Sequence, residues 1–144
     1  MNTKLSRKLA EIGKRIGDGG TVRVGFLENA TYPAGAKKAG LHVATVAWWN
    51  NFGNVRIPAR PFFTNMISTK SPAWGSDLRK IFVASQYNTK ITLSLLGTRI
   101  KDQLVQSIVD WPADNAPATI ARKGFNKGLI HQGVMQRSVD FEVA

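Results

Sequence analysis

Cysteine is absent from the 144 residues, which excludes a disulfide framework, a thiol nucleophile and any Cys-containing zinc site. The absence is compatible with assembly inside a cell and disfavours redox chemistry. Histidine is almost missing too: His42 and His131 lie far apart, and neither stands at metal-ligand spacing with carboxylates. Surface or partner contact is the simpler role for both, so no metal and no cofactor is expected. Nowhere do about 18 apolar residues run together. The opening MNTKLSRKLAEIGKRIGDGG lacks the continuous apolar core of a signal peptide, and a soluble protein without membrane contact is expected.

Acidic residues are scarce. Twenty Lys and Arg against nine Asp and Glu give a formal charge of +11. The excess is uneven: eight basic and three acidic side chains in residues 1–50, seven and one in 51–100, five and five in 101–144. A basic surface is expected on the first two thirds, suited to a polyanion or to an acidic protein surface. A chain of this length fits one domain, 1–144, and buries about 68–70% of its unfolded surface without help from metals or disulfides.

Leu5, Leu9, Ile12 and Ile16 are spaced as one stripe of a helix, with Lys4, Arg7, Lys8, Lys14 and Arg15 on other faces. GDGG at 17–20 ends it. TVRVGFL, 21–27, alternates and is β-branched, which predicts a strand; ENATYPAGAKKAG reads as a loop. HVATVAWWNN, 42–51, has both strand-forming residues and a helical face made by Val43, Val46, Ala47 and Asn50, and helix is preferred. Gly53 stops it, and Pro58 and Pro61 set the chain before a new helix near Phe62. After STKSPAWG, one long central helix is expected from Ser76 to Val109, capped by Ser76 or Asp77, with Gly97 marking close packing or a kink. VMQRSVDFEV closes the chain as a strand with Val139, Phe141 and Val143 on one face. The fold class is therefore α+β: a small mixed or antiparallel sheet against a long central helix and shorter helices, with a long loop in the C-terminal half.

That loop, 111–133, has two prolines, three glycines and no clear period, yet it carries Ile120, Phe125, Leu129 and Ile130. Loops beyond about 12–15 residues are usually functional or disordered, and one with this apolar content fits a segment that orders against a neighbouring subunit.

Signals for catalysis are weak. Asp102 and Asp110, eight apart on one helix, can share a face, but Lys101 and Gln106 beside them indicate a solvated face and not an acid/base pair. The glycines of GDGGTVRVG lead into a strand, which disfavours a phosphate-cradling loop. No GxSxG elbow is present. Arg56, Arg60, Phe62 and Phe63 interleave cations with aromatics, a pattern that can bind nucleic acid. Burial of the phenylalanines, with the arginines pinning the turn or pairing with an adjacent subunit, is favoured over that reading.

The stretch AWWNNFGNVRIPARPFFTNMI, with TVRVGFLENATYP upstream and NAPATIARKGFNKGLIHQGVMQRSVDFEV at the end, resembles the small neck and tail-completion proteins of tailed bacteriophages. That family shows an alanine-rich helix ending in Glu-Phe-Gly, then Ile-Pro-x-Arg-Pro-Phe, a long helix, and a late Lys-Gly-x-x-x-Pro-Leu-x-x-Thr-Gly segment before a final strand. Ile57, Pro58, Arg60, Pro61 and Phe62 carry the most specific part of the match. Lys123, Gly124, Phe125, Asn126, Lys127, Leu129, Ile130 and Gly133 carry the second. Asn51 stands at the family's Glu, Gly128 at its Pro, and His131 with Gln132 at its Asp-Thr.

The resemblance implies a non-enzymatic virion protein, assembled in the host cytoplasm, that forms a ring at the head-proximal end of the tail and completes the tail or joins it to the head. Implied partners are other copies of itself, six by analogy with tail symmetry, and neck or tail proteins such as the tail terminator, tail tube or head-completion protein, with DNA in the channel as a further contact. The alternative is a basic nucleic-acid-binding protein. Candidate interface or corner residues are Phe52, Arg56, Pro58, Arg60, Pro61, Phe62 and Phe63, and, in the late loop, Lys123, Phe125, Asn126, Lys127, Leu129, Ile130 and His131. Phe52, Phe62 and Phe63 are expected to anchor the corner in the core, and Arg60 to hold a carboxylate or carbonyl.

Overall fold

A computed structural model describes residues 3–36, 38–112, 119–121, 124, 129 and 133–144. In chain order the elements are α1 (Thr3–Ile16), β1 (Val22–Phe26), α2 (Val43–Phe52), α3 (Phe62–Ala84), α4 (Thr89–Val109), a single-turn α5 (Val134–Arg137) and β2 (Val139–Val143). The fold is α+β, with a two-stranded antiparallel sheet packed on helices.

The sheet joins the two ends of the chain. Val22, Val24 and Phe26 of β1 stand opposite Val143, Phe141 and Val139 of β2. The ladder continues past both strands through the Thr21 and Ala144 amides at one end and the Leu27 amide on Ser138 at the other. Alternation puts Phe141 on the face toward α4, where it meets Gly97. A Cβ on Gly97 would stand 2.5 Å from Phe141 Cδ2 and 2.9 Å from Val22 Cγ2, so glycine is what lets the sheet seat on the helix. The close approach that Gly97 signals in the sequence is thus an approach of strand side chains.

The single helix expected over 76–109 is two helices. α3 begins at Phe62 and runs to Ala84, straight through the STKSPAWG stretch read as a break, and α4 starts at Thr89. Pro72 lies inside α3 at a cost of about 3 kcal/mol. Contacts to α4 just beyond the proline hold the turns together: Trp74 Nε1 donates to Gln103 Oε1 at 2.8 Å, and Arg99 pairs with Asp77 at 2.8 Å. Asp77 is therefore an interior ion-pair partner and no cap.

The chain reverses at 85–88. Gln86 and Tyr87 take positive φ, Ser85 Oγ meets Thr92 Oγ1 at 2.7 Å, and Asn88 Oδ1 caps α4 by accepting from the Ile91 amide. α3 and α4 form an antiparallel helical hairpin, and α4 is the central element that touches α3, both strands and α5. The core gathers Val43, Val46 and Ala47 of α2, Phe62 and Met66 of α3, Leu104 and Ile108 of α4, Val134 and Met135 of α5 and Val139 of β2, joined by Tyr32 and Leu129.

α1 is built as the spacing predicts, but it contributes no buried residue. Its last turn is tied to the hairpin: Thr89 Oγ1 donates to the Ile16 carbonyl at 2.7 Å and Arg15 Nη1 to Gln86 Oε1 at 3.2 Å.

Candidate functional site

The corner between α2 and α3 is braced from inside. Gly53, at φ 74°, ends α2, and a Cβ there would stand 2.8 Å from the Ala59 amide nitrogen. Asn54 Oδ1 accepts from the Arg56 and Ile57 amides at 2.8 and 2.9 Å, a side-chain-closed turn. The chain then returns onto α2, with the Arg60 amide donating to the Asn50 carbonyl at 2.6 Å. Arg60 is only 8% exposed, and its Nη1 donates to Asn50 Oδ1 at 2.9 Å while Asn50 Nδ2 donates to the Val46 carbonyl. For Arg60 the sequence leads one to expect a carboxylate or a carbonyl, and the Asn50 side-chain carbonyl is one such acceptor.

Asn51 performs a second task. Its Oδ1 accepts from the Phe63 and Thr64 amides at 3.0 and 3.1 Å, satisfying two of the donors that every helix start leaves open. Asn51 therefore caps α3 from the end of α2, across the corner. Pro61 precedes the first turn of α3, and the ring of Phe62 is 1% exposed. Phe62 meets Phe26 and Phe63 edge-on at centroid distances of 6.4 and 6.3 Å, and Phe63 packs half-buried beside Phe26.

Phe52 does not join them. It is 52% exposed and lies against Trp48, itself 64% exposed, with ring centroids 4.3 Å apart. The physical reason is helical phase: Val43, Val46, Ala47 and Asn50 form the buried face of α2, and at about 100° per residue Phe52 falls on the opposite side, one turn after Trp48. Beyond it Val55 is fully exposed, and Arg56 and Pro58 also face solvent. The corner thus has a locked inner side and an outer side that presents two aromatics in tilted contact, a β-branched residue and a cation.

Of the remaining candidates, Leu129 is buried in the core and so is withdrawn from the solvent-facing surface. Lys123, Phe125, Asn126, Lys127, Ile130 and His131, like most of the 111–133 loop, lie outside the described residues. Sequence reasoning missed Asn50 and Asn51 as working residues and Trp48 as an outward one. The signal for Asn51 was an amide at the end of one helix within reach of the next helix start.

His42 sits at the N-cap of α2 with Nδ1 3.2 Å from the Glu28 carbonyl oxygen. Asp102 and Asp110 are both exposed, at the groove between α3 and α4. Burial pushes the Tyr32 hydroxyl up to about 12, and the Phe141 amide, with Lys101 second, holds Asp140 below the usual carboxylate range. Among the described residues no cluster of His, Asp or Glu could hold a metal, and no helix is long and apolar enough to cross a membrane. No protein-family model, curated protein or solved structure matches the chain.

Proposed function

We propose that this is a structural protein of a tailed phage, acting in a ring at the head-proximal end of the tail to complete the tail or join it to the head. One observation carries the reading: the α2–α3 corner is fastened internally by Arg60, Asn50 and Asn51 while it holds Trp48, Phe52 and Val55 out to solvent. Exposed aromatic residues on a rigid support, beside an arginine, have the composition of a binding hot spot. The Ile57, Pro58, Arg60, Pro61 and Phe62 motif that underlies the phage resemblance is the same corner. Its partners are further copies of this chain and neck or tail proteins, and its place is the virion.

Electron microscopy of particles made without this gene product tests the role. Filled heads beside unjoined tails, or tails of abnormal length, are expected; normal infectious particles would overturn it. A second reading, DNA contact, is favoured by the exposed Trp48–Phe52 pair beside Arg56 in a chain of charge +11. Tight DNA binding by the isolated protein that weakens steeply with salt is its signature.

A further inference from the structure

α1 has an apolar face that its own chain leaves uncovered. At about 100° per residue, Leu5, Leu9, Ile12 and Ile16 fall within about 60° of arc, Lys8 and Arg15 border them on one side, and Ser6 and Gly13 on the other. Leu5 and Leu9 are more than half exposed. Forming such a stripe and leaving it in water gains nothing from burial.

An open groove of about 780 Å³ runs between α3 and α4. Met66, Leu95 and Trp111 give it apolar walls, and Leu95 is 52% exposed. Asp102 and Asp110 stand on its rim with Lys70, while Arg99 is occupied by Asp77. The negative end of the α4 dipole and the positive end of the antiparallel α3 meet there and offset each other, so the carboxylates set the local sign. In a chain with net charge +11 this is a locally acidic, partly apolar slot. From Leu95 to Asp110 its α4 wall is about 23 Å long, and the 14 residues of α1 make a helix of about 21 Å.

We infer that the α1 arm of one copy docks in the α3–α4 groove of a second copy, apolar stripe inward and basic residues against Asp102 and Asp110. Charge selects this occupant over α1–α1 pairing, which brings the Lys8 and Arg15 borders of two copies together when antiparallel and gives those cations no acidic neighbour when parallel. Within one chain, α1 ends at Thr89, at the start of α4, whereas the groove occupies α4 from Leu95 onward. Arm and groove are different patches, so the contact is heterologous and repeats around a ring or along a filament. The contact gives the proposed ring an interface without depending on the neck reading.

The absence of native cysteine makes a thiol test clean. Full-length Leu9→Cys and Leu95→Cys proteins are mixed and treated with a short bis-maleimide, with Leu5→Cys and Ile12→Cys as alternative arm positions. A covalent dimer is expected in the mixture. Lys4→Glu with Lys8→Glu, on the basic border of the stripe, should lower its yield about tenfold or more, and Asp102→Lys with Asp110→Lys on the groove should restore it. The thermal melt should stay unchanged, since α1 buries no residue. No cross-link between arm and groove at any arm position, dimers of the arm variant alone, or a doubly substituted chain that closes only on itself would each overturn the contact. Sedimentation of the same samples separates the readings: oligomers without the arm–groove link remove this interface and leave the ring reading standing on the particle assay.

Discussion

Arg60 and Asn50 are joined twice, once through the Arg60 amide on the Asn50 carbonyl at 2.6 Å and once through Nη1 on Oδ1 at 2.9 Å. The first bond sets the path of the returning chain and the second places a buried cation against a neutral acceptor. Asn50 is itself fixed to its helix through Val46, so the guanidinium bears on α2 as on a rigid beam. Removing the amide leaves that buried charge one acceptor short. Asn50→Ala should therefore cost about 2–3 kcal/mol, and Arg60→Lys, which keeps the charge but loses the planar fork, should fall between it and the wild type. Urea unfolding checks both. An Arg60→Ala protein that folds and assembles normally would remove the corner's brace from the account.

Gly97 sets the distance between α4 and the sheet. Alanine would gain about 1 kcal/mol in helix propensity, but its methyl would fall inside the Phe141 ring and against Val22. Overpacking of this kind costs about 1–3 kcal/mol, and the ring is held by β2, which is paired along its length with β1. Gly97→Ala should be net destabilising in thermal melts, and Phe141→Leu in the same chain should recover part of the loss. A Gly97→Ala protein more stable than wild type would show that the sheet is free to lift.

What could be read in the sequence was what depends on local pattern. The stripe of α1, the alternation of β1, the buried face of α2 and the proline-led start of α3 are all periodic or stereochemical signals, and they stand within a residue or two of where they were expected. The closing strand expected over 134–143 is instead a helical turn over Val134–Arg137, and the alternating residues form β2 only from Val139. The hairpin at 85–88 was hidden because apolar residues recur at helical spacing on both sides of it. The clue lay in the empty positions between Phe82 and Leu93 and in Asn88, a cap in mid-run. Pro72 misled in the opposite sense, since Trp74 and Asp77 reach α4 and carry the helix past it. At the corner the motif pointed to the right residues but not to their directions. Phe52 and Phe62 look equivalent in sequence, and the phase of α2 sends one out while the start of α3 sends the other in.

Tyr32 gives the fold a pH dependence at the alkaline end. Its hydroxyl is held protonated up to about 12 by burial, whereas an unfolded tyrosine ionises near 10. The folded value is raised, so this contribution is whole below about pH 10 and is lost as pH rises toward about 12, because the unfolded chain then releases a proton the folded chain keeps. Two units correspond to roughly 2–3 kcal/mol. Unfolding free energies at pH 9.5 and 11.5 should differ by less in Tyr32→Phe than in wild type. Equal losses in the two proteins would mean that the hydroxyl reaches water.

The outward side of the corner should behave in the reverse manner from the inward side. Phe52→Ala and Val55→Asp alter groups that solvent already surrounds, and surface changes of this kind shift stability by about 0.5 kcal/mol or less. If Trp48, Phe52 and Val55 form a docking surface, the same changes should abolish joining of heads to tails in a complementation assay, because truncation at a hot spot costs about 2 kcal/mol or more of binding. Asn50→Ala, by contrast, should lower the melting temperature before any assembly defect is measured. A Phe52→Ala protein that melts markedly earlier than wild type would return Phe52 to the core. Wild-type particle yield from both outward variants would leave the exposed aromatics without an assembly role.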